Sequence, residues 1–522
     1  MQKIGGPRRL ARSIGVGVLF GSLLLGFGAM ASNADELPVT PATPTDGSSP
    51  TATPTPQQPD ISDKGSLPQA VTPQSVAETP PYGASKPVTL ETDFSRPYKA
   101  ISSAANSDFS LLDDLERLIE GSYRDQNTGE LLPASQRTNN YVYLSISRME
   151  NSHRVGRKLV AAAKAGVTVR VIHGVASQSN ESRALHRALS GATYHGKHTG
   201  HFHICEKGHS NACLSGLHGA IMHSKILLVN HTFTRAGDPA NAAIWSGSAN
   251  LGGPSGERTF NNGMTIYNDK KLWDQATQMW ADMSAERNVH DDYLEYVKDH
   301  ASKYGEANLA SNYGYTSSYA THGMFYSSLA NVTIYATPIQ ASPTNGKDPV
   351  MNLLNRVIPD DTCRIRLQEN RFKYRRIAVA QKLVQLANAG CKVSAVGFED
   401  DLKVNRVMHC QQYIRICRPI LDVFKNANQR IETAWAKPHD KTIMVDAVLK
   451  ANRLNPEEVP PNGGTWPQRT KLVQAGSAAL TGSNLVVSDE ITTETTDPAV
   501  FDDYLQHWKA IWKSHEIHIY PY

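Results

Sequence analysis

Two stretches of the chain set a histidine two residues ahead of a lysine at the head of an apolar run: HSKILLVN at 223–230 and HDKTIMVD at 439–446. Each is followed by a Gly-Ser and an Asn, supplied by Ser248 and Asn250 after the first and by Ser483 and Asn484 after the second. An imidazole titrates near neutral pH and serves as nucleophile or proton shuttle. An ammonium beside it holds oxyanions. The Gly-Ser turns add a hydroxyl, an amide and backbone N–H groups, all donors to phosphate oxygens. Together these groups suit chemistry at a phosphate ester. A single His-x-Lys tripeptide arises by chance, but two copies with the same sequel point to a site.

The apolar runs read as strands, on which residues i and i+2 share a face. His223 and Lys225 would then share one face, as would His439 and Lys441. Asn230 falls on the opposite side and stands where the second copy has Asp446. An Asn keeps a hydrogen bond without the charge, so the difference reads as a structural substitution.

The elements that must position these residues also come in two copies. NNYVYLSISRM reads as a strand, SHRVGRKLVAAAKAG as a helix ending at Gly166, and VTVRVIHGV as a second strand. Further on, DDTCRIRLQE, YRRIAVAQKLVQLANAG and CKVSAVGF repeat that layout, with Gly390 over Gly166. Each is a βαβ unit with parallel strands. Helical stretches follow each motif, at 269–287 and 498–514. A duplicated α/β unit also accounts for 522 residues, more than one core usually serves.

The doubled motif resembles the signature of the phospholipase D superfamily: His-x-Lys, four residues, Asp, then Gly-Ser and Asn, present twice. The resemblance covers roughly 95–520. It implies an α/β fold of two homologous lobes with the active site at their pseudo-two-fold interface. It further implies a phosphohistidine on one His, a proton from the other, and no metal or cofactor. Asn230 departs from the family pattern. Relatives also place an acid after the Gly-Ser turn to orient a histidine; here Glu490 is the first candidate and Asp489 the next, while the first half has Asn261 and Asn262 instead. If the second-half acid supports the first-half His, His223 is the nucleophile and His439 the general acid. Lys225 and Lys441 would hold the phosphate with Ser248, Asn250, Ser483 and Asn484. Members of the superfamily cleave phospholipids, nucleic acids and other phosphodiesters.

The start of the chain has a basic segment, an uncharged apolar stretch from Ile14 to about Met30, and small residues at Ala29, Ala31 and Ala34. That is a secretory leader, cleaved after Ala31 or Ala34. Pro, Thr and Ser then dominate and no core can form. The expected organisation is a leader at 1–34, a disordered linker at 35–92, and lobes at 93–300 and 301–522. Export places six cysteines in an oxidising compartment. Proximity suggests Cys205–Cys213 and Cys410–Cys417, leaving Cys363–Cys391 at two strand starts.

The net charge of +4 gives little support for nucleic acid or an anionic membrane. A histidine-rich loop (His195, His198, His201, His203, His209, His218) with Cys205 and Cys213 invites zinc, but its spacing fits no standard site. Trp245, Trp435 and Trp466 lie near site elements and read as core. The expectation is a secreted, monomeric phosphodiesterase cleaving phospholipid head groups at a membrane or vesicle surface. The alternatives are an exported endonuclease using the same residues, or an extracellular binding protein with weakened activity.

Overall fold

The computed structural model describes residues 86–97, 107–150, 153–174, 178–205, 211–214, 220–286, 324–327, 331–338, 348–398, 416–428, 430–486, 488–514 and 520–521. The expected leader, most of the expected linker, Cys410, His209 and His218 lie outside the described residues.

The apolar runs form two sheets. The first has seven strands, β1 (Thr89–Ser95), β2 (Tyr141–Ile146), β3 (Thr168–Gly174), β4 (Gly200–Cys205), β5 (Ile226–Phe233), β6 (Pro239–Gly247) and β7 (Asn261–Tyr267), ordered β1-β7-β6-β5-β2-β3-β4. The second contains β8 (Met324–Ser327), β9 (Val332–Ala336), β10 (Arg364–Glu369), β11 (Lys392–Phe398), β12 (Ile431–Ala436), β13 (Lys441–Leu449), β14 (Gln468–Gly476), β15 (Ile491–Thr495) and β16 (Tyr520–Pro521). Their order is β8-β9-β15-β14-β13-β10-β11-β12-β16, with a short strand, Val357–Ile358, also paired to β13. Six strands of one sheet thus follow the same order as six of the other: β7-β6-β5-β2-β3-β4 against β15-β14-β13-β10-β11-β12. In each set the last three are parallel and the remaining pairings antiparallel.

The principal helices are α1 (Ser110–Glu120), α2 (Arg154–Lys164), α3 (Lys270–Ser284), α4 (Ile377–Asn388) and α5 (Pro498–Trp512). Helix α2 buries Val155, Leu159, Ala162 and Ala163, the one-sided spacing of an amphipathic helix, against its sheet. It stops at Gly166, whose φ of 103° few other residues adopt, and Val167 N–H closes the end on Ala162 O at 3.1 Å. Helix α4 stops the same way: Gly390 has φ 127° and Cys391 N–H reaches Leu386 O at 3.1 Å. It enters through a tighter turn, Tyr374–Arg376, so the expected helix from Tyr374 starts late.

Strand β2 is buried on both faces. Val142, Leu144 and Ile146 point into the core under α1 and α2, while Tyr141 and Tyr143 pack with Trp273 and Trp280 of α3. Each such large side chain contributes about 1.5–3 kcal/mol of burial. The α3 core also takes in Val332, Ile334 and Ile491 of the second sheet, so one apolar cluster joins the two sheets. Helix α5 spans them as well, setting Phe501, Tyr504 and Trp508 against Met264, Met444 and Val473. Trp245 and Trp435 are core residues and Trp466 packs against the second core.

Disulfides join Cys205 to Cys213 and Cys363 to Cys391. The second ties the heads of the parallel pair β10 and β11, with Cα atoms 4.6 Å apart. One boundary moves. Thr89–Ser95, assigned mostly to the linker, is a strand paired in register with Asn261–Tyr267. Its partner lies too far along the chain for the local pattern to reveal it.

Candidate active site

Neither His-x-Lys tripeptide lies within its strand as the apolar runs suggested. Strand β5 begins at Ile226 and β13 at Lys441, so both histidines stand in the extended segment just ahead. What positions them is the other sheet. His223 N–H donates to Asp489 O at 2.9 Å, and Asp489 N–H to Ile221 O at 3.0 Å. In the other direction His439 N–H donates to Phe260 O at 2.8 Å, and Phe260 N–H to Lys437 O at 3.1 Å. Each half therefore docks a short segment beside the histidine of the other.

The residue after each docking point then holds the ring. His223 Nδ1 lies 2.8 Å from Glu490 Oε1 and 2.9 Å from Oε2. His439 Nδ1 lies 3.0 Å from Asn261 Oδ1. The Asn261 amide cannot turn over, because its Nδ2 donates to Ser255 O, Thr259 O and Thr259 Oγ1, all at 3.0 Å. His439 Nδ1 must therefore be the donor, which leaves the Nε2 lone pair free in the neutral ring. A carboxylate under His223 fixes the same tautomer there and also favours the imidazolium. Asn261 supplies no charge, so the two histidines are held alike but only His223 has an ionisable partner.

The lysines repeat one arrangement. Lys225 Nζ donates to His223 O and Lys441 Nζ to His439 O, both at 2.6 Å. Both are almost completely buried, at 0% and 4% exposure. Burial lowers both imidazoles well below the usual histidine value. The ammonium groups of Lys225 and Lys441 add to this, with Arg371 and Arg148 also acting on His223. Burial lowers Lys225 strongly and brings Lys441 down to about 8, opposed by Glu490 at both and by Glu369 and Asp440 at Lys441. Burial pushes Glu490 up to about 8 against the pull of Lys225, and a cationic ring at His223 would draw it back to the carboxylate form. A phosphate arriving here supplies counter-charge that favours both ammonium forms.

The Gly-Ser turns require a correction. Gly247 closes β6, Ser248 N–H donates to Asn262 O at 2.9 Å, and Asn262 N–H returns to Ser248 Oγ at 3.0 Å. In the second sheet Gly476 closes β14, Ser477 N–H donates to Ile491 O at 2.8 Å, and Ile491 N–H returns to Ser477 Oγ at 2.9 Å. A Cβ on either glycine would strike the facing carbonyl of Asn262 or Ile491. The counterpart of Ser248 is thus Ser477, not Ser483. The signal was available: SGSANL at 246–251 aligns with AGSAAL at 475–480, which also pairs Asn250 with Ala479.

Ser248 Oγ lies 3.2 Å from Asn261 Oδ1, so the hydroxyl sits among protein partners. Ser483 and Asn484 lie on a separate short helix, Gly482–Val486. Ser483 Oγ is 3.2 Å from Thr481 Oγ1. Asn484 Nδ2 donates to Glu490 Oε1 and its Oδ1 accepts from Thr481 Oγ1. Where the sequence assigned Asn484 to phosphate, the structure puts it under the carboxylate that holds His223. Asn250 Oδ1 is buried with no partner among the described residues.

Asn230 is clear of the histidines. Its Oδ1 accepts from Tyr141 N–H at 2.7 Å and its Nδ2 donates to Asn139 O at 3.2 Å, pinning the start of β2. Asp446 instead pairs with Arg469 at 2.8 Å on the exposed side of β13. Asp489 turns away from the rings and accepts from Cys213 N–H at 2.5 Å and Leu214 N–H at 3.1 Å, gripping the end of the disulfide-closed loop. Sequence reasoning also passed over a buried chain behind His439. Asp440 accepts from Asn262 Nδ2 at 2.6 Å and from His507 Nε2 at 3.0 Å, and Arg96 Nε donates to His507 Nδ1 at 3.1 Å. Among the described residues no group of three or more His, Cys, Asp or Glu could hold a metal ion.

With this geometry in view, comparison with known proteins gives the class. Residues 131–284 match the family model described as cardiolipin synthase, phospholipase D-like domain. The match identifies residues 131–284 as a phospholipase D-like domain. No curated protein matches it in sequence. Among solved structures it is similar to phosphatidylserine synthase from Haemophilus influenzae, at 8% identity and TM-score 0.46, over 82% of this chain and 87% of that one. It is similar to Nuc, a phospholipase D family member from Salmonella typhimurium, at 13% identity and TM-score 0.25, over 38% of this chain and 93% of that one. A polyphosphate kinase from Porphyromonas gingivalis matches at 12% identity and TM-score 0.42 over 81% of this chain, which spans 50% of that protein's length.

Proposed function

We propose that the chain is a secreted phosphodiesterase of phospholipase D type, built as two homologous lobes, that hydrolyses the head-group ester of phospholipids through a phosphohistidine. The observation that carries this reading is the mutual docking of the halves. Each brings a histidine and a buried lysine, and each supplies the acceptor that holds the other's imidazole by Nδ1. With Nδ1 engaged in each ring, Nε2 is the atom that would meet a substrate.

In this account the lysine ammonium groups hold the non-bridging phosphate oxygens. His223 Nε2 donates its lone pair to phosphorus as the bond to the head-group oxygen breaks. His439, protonated once the substrate phosphate offsets the neighbouring ammonium groups, passes the Nε2 proton to that departing oxygen. Charge gathers on His223 as the P–N bond forms, and Glu490 offsets it through Nδ1–H. His439, now neutral, takes a proton from water, and the hydroxide displaces His223 from phosphorus to give phosphatidic acid. The carboxylate under His223 and the uncharged amide under His439 favour this direction over its mirror, because the ring that carries the phosphoryl group gains most from a counter-ion.

The test gives the purified protein phospholipid vesicles with a little ethanol and, in parallel, plasmid DNA, each against His223→Ala and His439→Ala. Phosphatidic acid or phosphatidylethanol formed by the wild type alone supports the reading. Nicked DNA with untouched lipid makes the protein a nuclease using the same residues. Silence on both overturns the enzymatic reading for these substrates.

A further inference from the structure

A second cluster of cations lies at the opposite end of β10 from the histidines. Glu369 ends the strand opposite Lys441, whereas Arg364 begins it five residues earlier, roughly 17 Å away along an extended chain. Arg364 and Arg366 share one face of the strand, while Ile365 and Leu367 turn into the core. Lys392 of β11 lies across from Arg364, Ser394 across from Arg366, and Glu432 of β12 across from Ser394. Trp508 and Trp512 of α5 complete the wall of a pocket of about 240 Å³.

The charges do not cancel. Lys392 pairs with Glu432 at 3.2 Å, and Arg364 Nη1 donates to Asp361 O at 2.7 Å and Cys363 O at 2.8 Å. Asp446, a further carboxylate that acts on Arg366, is already bonded by Arg469. The Arg366 guanidinium has no hydrogen-bond or ion-pair partner among the described residues. It lies 5.3 Å from the Trp508 ring centroid, and Trp508 stacks on Trp512 with centroids 4.7 Å apart at 19°. The guanidinium thus lies over an indole face that satisfies none of its donors. A half-buried guanidinium without an acceptor carries a desolvation cost that a bound anion would relieve. A planar fork beside an ammonium and a hydroxyl matches phosphate, which such a fork binds through two parallel hydrogen bonds.

We propose that this pocket is a second phosphate site, separate from the histidine site, that takes a phosphate group with free oxygens, either as inorganic phosphate or as the exposed head of a phosphate-monoester lipid. It stands independently of what the histidine site cleaves.

The test uses the full chain labelled with 5-fluorotryptophan, with the Trp508 and Trp512 fluorine signals assigned through Trp508→Phe and Trp512→Phe. The background is Lys225→Ala with Lys441→Ala, which removes the phosphate-holding groups of the histidine site. Inorganic phosphate should move the Trp508 and Trp512 signals. Arg366→Ala should weaken that response about tenfold or more, and Arg366→Lys, which keeps the charge but not the fork, should recover part of it. Lys392→Ala, at an exposed position, gives a second and milder loss that requires no buried change. In otherwise wild-type protein Arg366→Ala should keep its turnover. Vesicles of phosphatidic acid in phosphatidylcholine, compared with phosphatidylcholine alone, identify the source: a response to the former names a lipid head group, and a response to inorganic phosphate alone names a soluble ligand. No movement with either, or an equal response in Arg366→Ala and Lys392→Ala, overturns the proposal.

Discussion

Glu490→Gln keeps the shape of the side chain beneath His223 and removes its charge. The carboxylate is fully buried and takes hydrogen bonds from His223 Nδ1, Asn484 Nδ2 and the Ser477 hydroxyl. Glutamine offers one acceptor oxygen, so one of those donors must face an NH2 group. A hydrogen bond to a charged partner contributes about 1.5–3 kcal/mol and a neutral one about 0.5–1.5 kcal/mol. If the ring adapts by changing tautomer, Nε2 carries the hydrogen and cannot attack. Adding the lost counter-ion for the phosphorylated ring, the expected penalty is about 3–5 kcal/mol, a hundred- to several-thousandfold fall in kcat/KM, mostly in kcat. Head-group release from phospholipid vesicles near pH 7 measures it, with Asn484→Ala alongside. That variant leaves the carboxylate in place and should lose about tenfold or less. A Glu490→Gln variant within about threefold of wild type would refute the role assigned to the carboxylate, since threefold is only about 0.65 kcal/mol against the ~3–5 kcal/mol expected.

The other expectations concern the flanking residues. Asn261→Asp does not create a second working carboxylate, because the three oxygens that accept from Asn261 Nδ2 would face an anion; a lowered melting temperature, equivalent to about 1–3 kcal/mol, with reduced turnover should result. Asn230→Asp copies Asp446 of the second half yet should keep the proposed activity within about twofold and costs up to about 1 kcal/mol, since the bond from Nδ2 to Asn139 O is lost; a tenfold gain would show that Asn230 limits it. Lys441 holds phosphate only when charged, and burial brings it to about 8, so kcat/KM should fall as pH rises through that value. Asp440 raises Lys441, so Asp440→Asn should move this alkaline limb to lower pH, whereas a purely structural role for Asp440 would lower the whole profile without moving it.

The parts of this site legible in the sequence were those written in short repeats. The two His-x-Lys tripeptides, the glycine-stopped helices at Gly166 and Gly390, and the adjacent parallel strands all follow from local spacing. The carboxylate for His223 was also readable, because Glu490 has only Asn261 and Asn262 against it in the first half. What escaped depends on contacts between distant segments. The histidines sit ahead of their strands because the partner half's backbone, at Asp489 and Phe260, takes the place of an in-strand neighbour. Asn484 followed a Gly-Ser and was assigned to phosphate, although AGSAAL just before it carries the true counterpart of Ser248. Asp440, between a histidine and a lysine, carries no local signal of its role. Its partners Asn262 and His507 lie 178 and 67 residues away, beyond the reach of any periodicity.

The central claim is that His223 accepts the phosphoryl group and His439 moves the proton. A phosphodiester with a p-nitrophenol leaving group separates the two, because that group departs without a proton. His439→Ala should then release nitrophenol and, after rapid quenching at alkaline pH, leave a phosphoryl-ester mass on the peptide containing His223. His223→Ala should give neither. An adduct on His439 in the His223→Ala protein, or nitrophenol released by the wild type with no adduct on either histidine, would contradict the account.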